Sequence, residues 1–268
     1  MEQIVHFGLG NFARAHLLDY TADAGGSWQV IGVNLRSSTT RDGLAAQDYA
    51  YALNVQGTGI KQITGLKTIL LASEGQQPIF EAMGNADIIS ATVTEKGYHL
   101  DQNGQLDLQD PVIAAELAGQ PLRSLIGFIA HDLARRIRPV TILSCDNRVG
   151  NGDALRQAVQ QFAQAAQLII DWSMARFPNA MVDRITPATT DRIRQDCKDP
   201  MAVPTEAFRE WVIEDNFAGP RPDWPDVQFV QDVRPHERRK LRMLNGAHSF
   251  LAYAGLAQGY LYVHEAIS

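Results

Sequence analysis

The stretch Lys240-Leu-Arg-Met-Leu-Asn245-Gly-Ala-His248 sets an amine, an amide and an imidazole five and three residues apart. On an α-helix those steps turn through about 500° and 300°, so Lys240, Asn245 and His248 fall within one broad sector. Interconverting an alcohol and a ketone needs a group that takes or returns the hydroxyl proton, a donor for the transient oxyanion, and a partner that fixes the carbon skeleton. Lysine, asparagine and histidine can fill those roles in turn. The competing reading is a solvated basic turn, since Arg238, Arg239 and Arg242 lie in the same run. Glu237, one helical turn before Lys240, either shares its face and relays its proton towards solvent or forms a surface ion pair with the neighbouring bases.

The elements that would position such a site start at the amino end. Residues 3–7 read as a buried strand, followed at once by Gly8-Leu-Gly10-Asn11-Phe12-Ala13 and a helix-like stretch to about Ala24. This is the strand, glycine turn and helix context in which G-x-G-x-x-G/A indicates dinucleotide binding. Gly8 makes the turn, Gly10 lets the backbone approach a pyrophosphate, and Ala13 is small enough for helix and strand to pack closely. The second strand, 28–35, ends without the acidic residue that usually reads the adenosine ribose. Asn34 could bond a 2′-hydroxyl, and Arg36 with Ser37 and Ser38 could take a 2′-phosphate. NAD is the expected cofactor, with NADP left open. Residues 53–71, with Gly57, Gly59 and Gly65, read as strands joined by tight turns. Residues 86–97 form a buried strand stopping in Thr92, Thr94 and Glu95, which are cofactor-side candidates because ligands gather beyond the carboxyl ends of parallel strands.

Further along, 122–136 reads as an amphipathic helix, and 139–147 as a buried strand whose polar tip brings Asn147 towards Asn245. Residues 153–176 are expected as one long helix, and Asp183 with Arg184 as a buried ion pair. After a proline-rich passage and a strand over 227–233, Pro235 opens the helix of Lys240. The fold class expected is α/β, a Rossmann-type domain over residues 1–232 followed by the start of an α-helical substrate domain over 233–268.

Composition agrees with a small-molecule enzyme. The 268 residues are 45% hydrophobic and 20% charged, and 30 acidic against 24 basic side chains give a net charge of −6, which argues against nucleic acid as the main partner. Cys145 and Cys197 are widely separated, no Cys/His set has zinc-site spacing, and no metal is expected. No apolar run reaches membrane-spanning length and no secretion signal opens the chain, so a cytoplasmic location is expected. The oligomeric state is open.

The motifs resemble those of the mannitol dehydrogenase family of polyol-specific long-chain dehydrogenases, most of all its fructuronate reductase, or D-mannonate oxidoreductase, branch. The resemblance runs through Gly8-x-Gly10-x-Phe12-x-Arg14-Ala-His16, Thr92-Val-Thr-Glu-Lys-Gly-Tyr98, Ser144-Cys-Asp-Asn147, Phe177-Pro-x-x-Met-Val-Asp183-Arg184-Ile, Trp211-Val-Ile-Glu-Asp-Asn-Phe217 and Lys240 to Ser249. It implies metal-independent hydride transfer between NAD(P) and a ketose or keto-uronate at C2. Lys240 is then the general acid/base, Asn147 and Asn245 the oxyanion amides, and His248 the substrate-positioning group. A mannitol 2-dehydrogenase type of polyol dehydrogenase and a non-catalytic dinucleotide-binding fragment are the alternatives. Family members continue well beyond the point where this sequence stops. Apolar groups around the helix after Pro235 are therefore expected in water, with 236–268 the least protected segment or one covered by another chain.

Overall fold

The computed structural model describes residues 2–267, apart from the side chains of Glu95 and His264. Its strands run in chain order as β1 (Gln3–Phe7), β2 (Gln29–Asn34), β3 (Tyr51–Val55), β4 (Gly59–Ile63), β5 (Leu66–Leu71), β6 (Ile88–Ala91), β7 (Val140–Ser144), β8 (Ala175–Arg176), β9 (Ala180–Asp183), β10 (Val203–Thr205), β11 (Glu210–Glu214) and β12 (Gln228–Val230). One six-stranded sheet has the order β5-β2-β1-β6-β7-β8, with every pairing parallel. Taken in chain order within that sheet, the strands read 3-2-1-4-5-6, the doubly wound arrangement whose ligand crevice opens where the order reverses, between β1 and β6. The fold is therefore the expected Rossmann-type α/β architecture.

Strands buried on both faces need apolar residues at both parities. In β1, Val5 and Phe7 join one core with Ile31, Val33, Ile89 and Ile142, under the helices Gln77–Asn85, Leu125–Leu133 and Asn151–Ala165. Ile4 points the other way and packs with Val30, Ile88 and Leu143 beneath the helices Asn11–Ala15 and Leu17–Ala24. Burial of each large apolar side chain is worth about 1.5–3 kcal/mol, so the two cores fix the sheet and with it the positions of its strand tips. Between β2 and β5 the chain inserts the hairpin β3-β4, which β10 extends into a small second sheet. A third sheet, β12-β11-β9, carries the chain towards the final helices.

Two helices differ from expectation. Leu125–Leu133 is buried without interruption from Leu125 to Ala130, because the sheet covers one side and Asn151–Ala165 another, so it is not amphipathic in place. The long helix expected over 153–176 ends at Ala165; Gln167 takes a left-handed conformation (φ 54°), and the chain turns through Trp172–Met174 into the edge strand β8. At the carboxyl end, Arg234–Arg239 is an α-helix with proline in its first turn, Lys240–Asn245 is a π-helical turn, and Gly246–Ala257 resumes the α-helix. Phe250, Tyr253 and Leu256 on that last helix are exposed, and Leu251 is half-buried. Among the described residues no helix is long and apolar enough to cross a membrane.

Candidate active site

The polar tip of β7 meets the Lys240 helix beyond the carboxyl end of the sheet. Asn151, fully buried, makes the junction: its amide nitrogen lies 2.8 Å from Ala180 O, 3.0 Å from Asp146 O and 3.3 Å from Ser144 O, and its oxygen accepts from the Gly152 and Ala180 amides. The β7 tip is thereby tied to β9. Lys240 reaches into this junction, its Nζ donating to Asn147 Oδ1 at 2.9 Å and to Val182 O at 2.5 Å, with Asp183 Oδ1 at 3.5 Å. An ammonium has donors only, so the amide oxygen of Asn147 must face it, and the Asn147 Nδ2 is left as a donor directed elsewhere.

An open pocket with about 380 Å³ of empty space, open solvent included, is lined here by Asn147, Lys240, Asn245, Glu237, Asp146 and Arg148, among others. Lys240 and Asn245 come together for a reason the sequence reading lacks. An α-helix would separate residues five apart by about 140°, whereas a turn closed by i→i+5 hydrogen bonds stacks them one above the other. His248 does not join them: it is exposed on the following helix and does not line the pocket.

Glu237 is buried, at 5% exposure, and Oε1 accepts from the Gly150 amide at 2.9 Å. The surface ion pair considered for it is therefore absent. Burial raises its pKa above the ordinary carboxylate range, helped by the charges of Glu214, Asp232 and Asp153 and opposed by the Gly150 N–H. The expected Asp183–Arg184 pair is also absent. Neighbouring residues at a strand end point to opposite sides, so Asp183 faces Lys240 while Arg184 turns inward to Asp19 Oδ2 at 2.5 Å.

The cofactor-side candidates cluster at the β1 and β6 tips. Gly8 has φ +85°, and a Cβ there would lie 2.4 Å from Thr92 O. Thr92 donates its hydroxyl proton to Gly8 O at 2.7 Å, and His6 Nε2 and Nδ1 lie 3.0 Å and 2.8 Å from the hydroxyls of Thr92 and Ser90. Burial lowers the His6 pKa to about 3, so a neutral ring donates to Thr92 and accepts from Ser90. At Gly10, by contrast, a Cβ would meet no protein atom nearer than Gly8 O at 4.0 Å. Packing within the chain does not require a glycine there, whereas a ligand pyrophosphate against the turn does, and in this respect the turn fits a dinucleotide.

Ala13 is buried in the core beneath the sheet, as close helix packing requires, and Phe12 stacks on His16 at 5.0 Å. Asn11 bonds Arg14 and Thr189. Asn34 Oδ1 accepts from the Leu9 amide at 3.2 Å, which makes Asn34 part of the glycine turn, while Arg36 beyond it is exposed. Thr94 is exposed and precedes the turn Glu95–Tyr98; the Glu95 side chain lies outside the described residues.

Sheet order, glycine turn and strand-tip pocket define the chain as a dinucleotide-fold protein with a lysine–asparagine site at the carboxyl edge. Residues 2–226 match the mannitol dehydrogenase Rossmann domain and residues 232–268 the mannitol dehydrogenase C-terminal domain; the chain belongs to the mannitol dehydrogenase family. It is 39% identical to a mannitol 2-dehydrogenase of Pyrenophora tritici-repentis, covering 99% of this chain and 53% of that one. With the D-mannonate oxidoreductase of Escherichia coli it shares 40% identity, over 99% and 61%. Among solved structures, the ternary complex of Pseudomonas fluorescens mannitol 2-dehydrogenase with NAD and D-mannitol superposes with a TM-score of 0.90 at 38% identity, over 99% of this chain and 60% of that one. The chain thus spans a little over half the length of these relatives.

Proposed function

We propose that the protein is an NAD(P)-dependent oxidoreductase that interconverts a small ketose or keto-uronate with the corresponding polyol or aldonate at C2. The observation that carries this reading is Lys240 Nζ held 2.9 Å from Asn147 Oδ1 in a pocket that Asn245 also lines. The nicotinamide, when bound, supplies or accepts the hydride. Gly8, Gly10, Asn11, Phe12 and Ala13 carry the turn that receives the pyrophosphate, with Asn34, Arg36, Thr92, Thr94 and Glu95 around it.

In the reduction direction Lys240 gives a proton to the ketose oxygen, and in the oxidation direction it removes the proton from the hydroxyl. Asn147, whose amide oxygen already faces Lys240, presents Nδ2–H to that oxygen, and Asn245 supplies a second donor. Glu237, buried in the same pocket, carries the lysine's proton onward. His248 positions the substrate chain in this scheme and has to be brought to the pocket from its exposed helix. The similarity to mannitol 2-dehydrogenases and to D-mannonate oxidoreductase supports neutral ketose and keto-uronate substrates equally.

The test is a panel of NADH and NADPH oxidation against D-fructose, D-fructuronate and D-tagaturonate. Ketose-dependent oxidation of either coenzyme is the expected result; binding of a coenzyme without turnover of any ketose would favour a non-catalytic dinucleotide-binding unit.

A further inference from the structure

Two sequence motifs far apart in the chain, Thr92 to Tyr98 and Ser144 to Asn147, meet at one carboxylate that the proposed reaction leaves unused. Asp146 Oδ2 accepts the Tyr98 hydroxyl at 2.7 Å, and the Ser144 hydroxyl lies 2.6 Å from the Tyr98 oxygen and 3.3 Å from Asp146. The Val93 backbone N–H is turned towards the same carboxylate and favours its charged form. Tyr98 and Ser144 are fully buried, so the cluster is fixed by packing as well as by polar contacts. Val93 follows Thr92, whose hydroxyl is anchored on Gly8 O, and Asp146 precedes Asn147, which faces Lys240.

We propose that Asp146 is a positioning residue: its carboxylate ties the loop after β6 to the tip of β7 and thereby sets the Asn147 amide against Lys240, beside the glycine turn. The role of that amide in turnover rests on the dehydrogenase reading; the tie itself does not. A carboxylate only accepts: the Tyr98 hydroxyl donates its one proton to it at 2.7 Å, and the single Ser144 proton is shared between the Tyr98 oxygen at 2.6 Å and the carboxylate at 3.3 Å. Protonation converts one acceptor position into a donor, and so does Asn in its place. Either change removes the charge that makes the Tyr98 contact a strong one, and the weakened tie lets the loop and Asn147 move relative to each other.

The surroundings make this sensitive to pH. Burial pushes the Asp146 pKa up to about 6, against the opposing pull of Tyr98, the Val93 amide and Ser144. Tyr98 and Cys145 face it from the interior, and burial raises both of their pKa values, so they are neutral. Lys240, Glu237 and Arg148 share the pocket in front of it. Above pH 6 the carboxylate is ionised and the tie is closed. Below it the tie loosens.

The direct test is NMR of the Asn147 side-chain amide and the Val93 amide in the wild type, Asp146→Asn and Tyr98→Phe, from pH 5 to 8. In the wild type both signals should move with a midpoint near about 6. Asp146→Asn should abolish that titration and displace both signals. Tyr98→Phe, which removes a donor to the carboxylate, should shift the midpoint upward. If turnover is present, Asp146→Asn should lower kcat by about 10- to 100-fold, the scale of a small misplacement of a reacting group, and remove the acid limb of the kcat profile. Asn147 and Val93 signals in Asp146→Asn that superpose on the wild type across the range would overturn the proposal, as would an unchanged kcat profile. Absence of turnover in the wild type with a normal Asn147 titration would instead remove the dehydrogenase reading and leave the tie standing.

Discussion

Asn151 offers the sharpest test of how the pocket is held together. Its side chain touches three carbonyls through Nδ2 and two amides through Oδ1, all between 2.8 and 3.3 Å, and it has no exposure to solvent. Nδ2 has two protons, so two of the three carbonyl contacts are full bonds and the third shares a proton. Asn151→Ala therefore leaves about two carbonyls and two amides without partners. Each costs about 1–3 kcal/mol if it stays dry, but one water admitted to the vacated space satisfies part of the set, so the expected loss is about 3–5 kcal/mol. Against a domain stability of about 5–15 kcal/mol that is a large fraction. Equilibrium urea denaturation followed by far-ultraviolet circular dichroism measures it directly. In the fraction that stays folded, the β7 tip is released from β9, so the Lys240–Asn147 contact should loosen as well. A loss below about 1 kcal/mol would refute the reasoning, because it would mean that the tip is held by its strand and not by this amide.

The two glycines of the turn should separate by readout: Gly10→Val should weaken NADH binding measured by fluorescence with little change in urea midpoint, whereas Gly8→Ala should lower the midpoint, since its Cβ meets Thr92 O at 2.4 Å. Equal effects of both substitutions on both measurements would contradict the assignment. Glu237, with its pKa raised in the fold, contributes stability below its unfolded value of about 4.3 and loses that contribution as pH rises through the folded value. Gln cannot ionise, so the melting temperature of Glu237→Gln relative to the wild type should rise between pH 4 and 8, and a falling difference would oppose this. Lastly, Phe250, Tyr253 and Leu256 lie 71%, 77% and 67% exposed, so hydrogen exchange over 240–261 should be faster than in β1, β6 and β7, and a Phe250→Ser, Leu256→Ser double variant should bind less apolar dye at an unchanged melting temperature. Slow exchange across that helix in a demonstrated monomer would contradict the exposure.

What the sequence made legible was local. Gly8-x-Gly10-x-x-Ala13 directly after an apolar strand has one structural meaning, and the buried runs of β1, β6 and β7 announce a parallel sheet through their lack of alternation. Lys240, Asn147 and Asn245 could be nominated from residue chemistry and resemblance. What escaped depended on neighbours distant in the chain. Asn151 sits between two glycines and reads as a turn residue until β9 is placed beside it. Asp146 gains its partners only when Tyr98 is brought across from the β6 loop. The π-helical turn leaves no mark in a pattern judged at 3.6 residues per turn, and an α-helical reading therefore spreads Lys240 and Asn245 further apart than they lie. The end of the helix at Ala165 has no glycine or proline to signal it, because Gln167 itself takes the left-handed conformation.

The central claim is that Lys240 handles the proton at the reacting carbon and takes no part in holding the dinucleotide. The decisive measurement is NADH affinity and ketose reduction in Lys240→Ala side by side with the wild type. Retained NADH affinity with turnover reduced at least about 10³-fold, at the upper end of what positioned acid–base catalysis contributes, is the result predicted. Turnover within tenfold of the wild type, or loss of NADH binding together with activity, would contradict it.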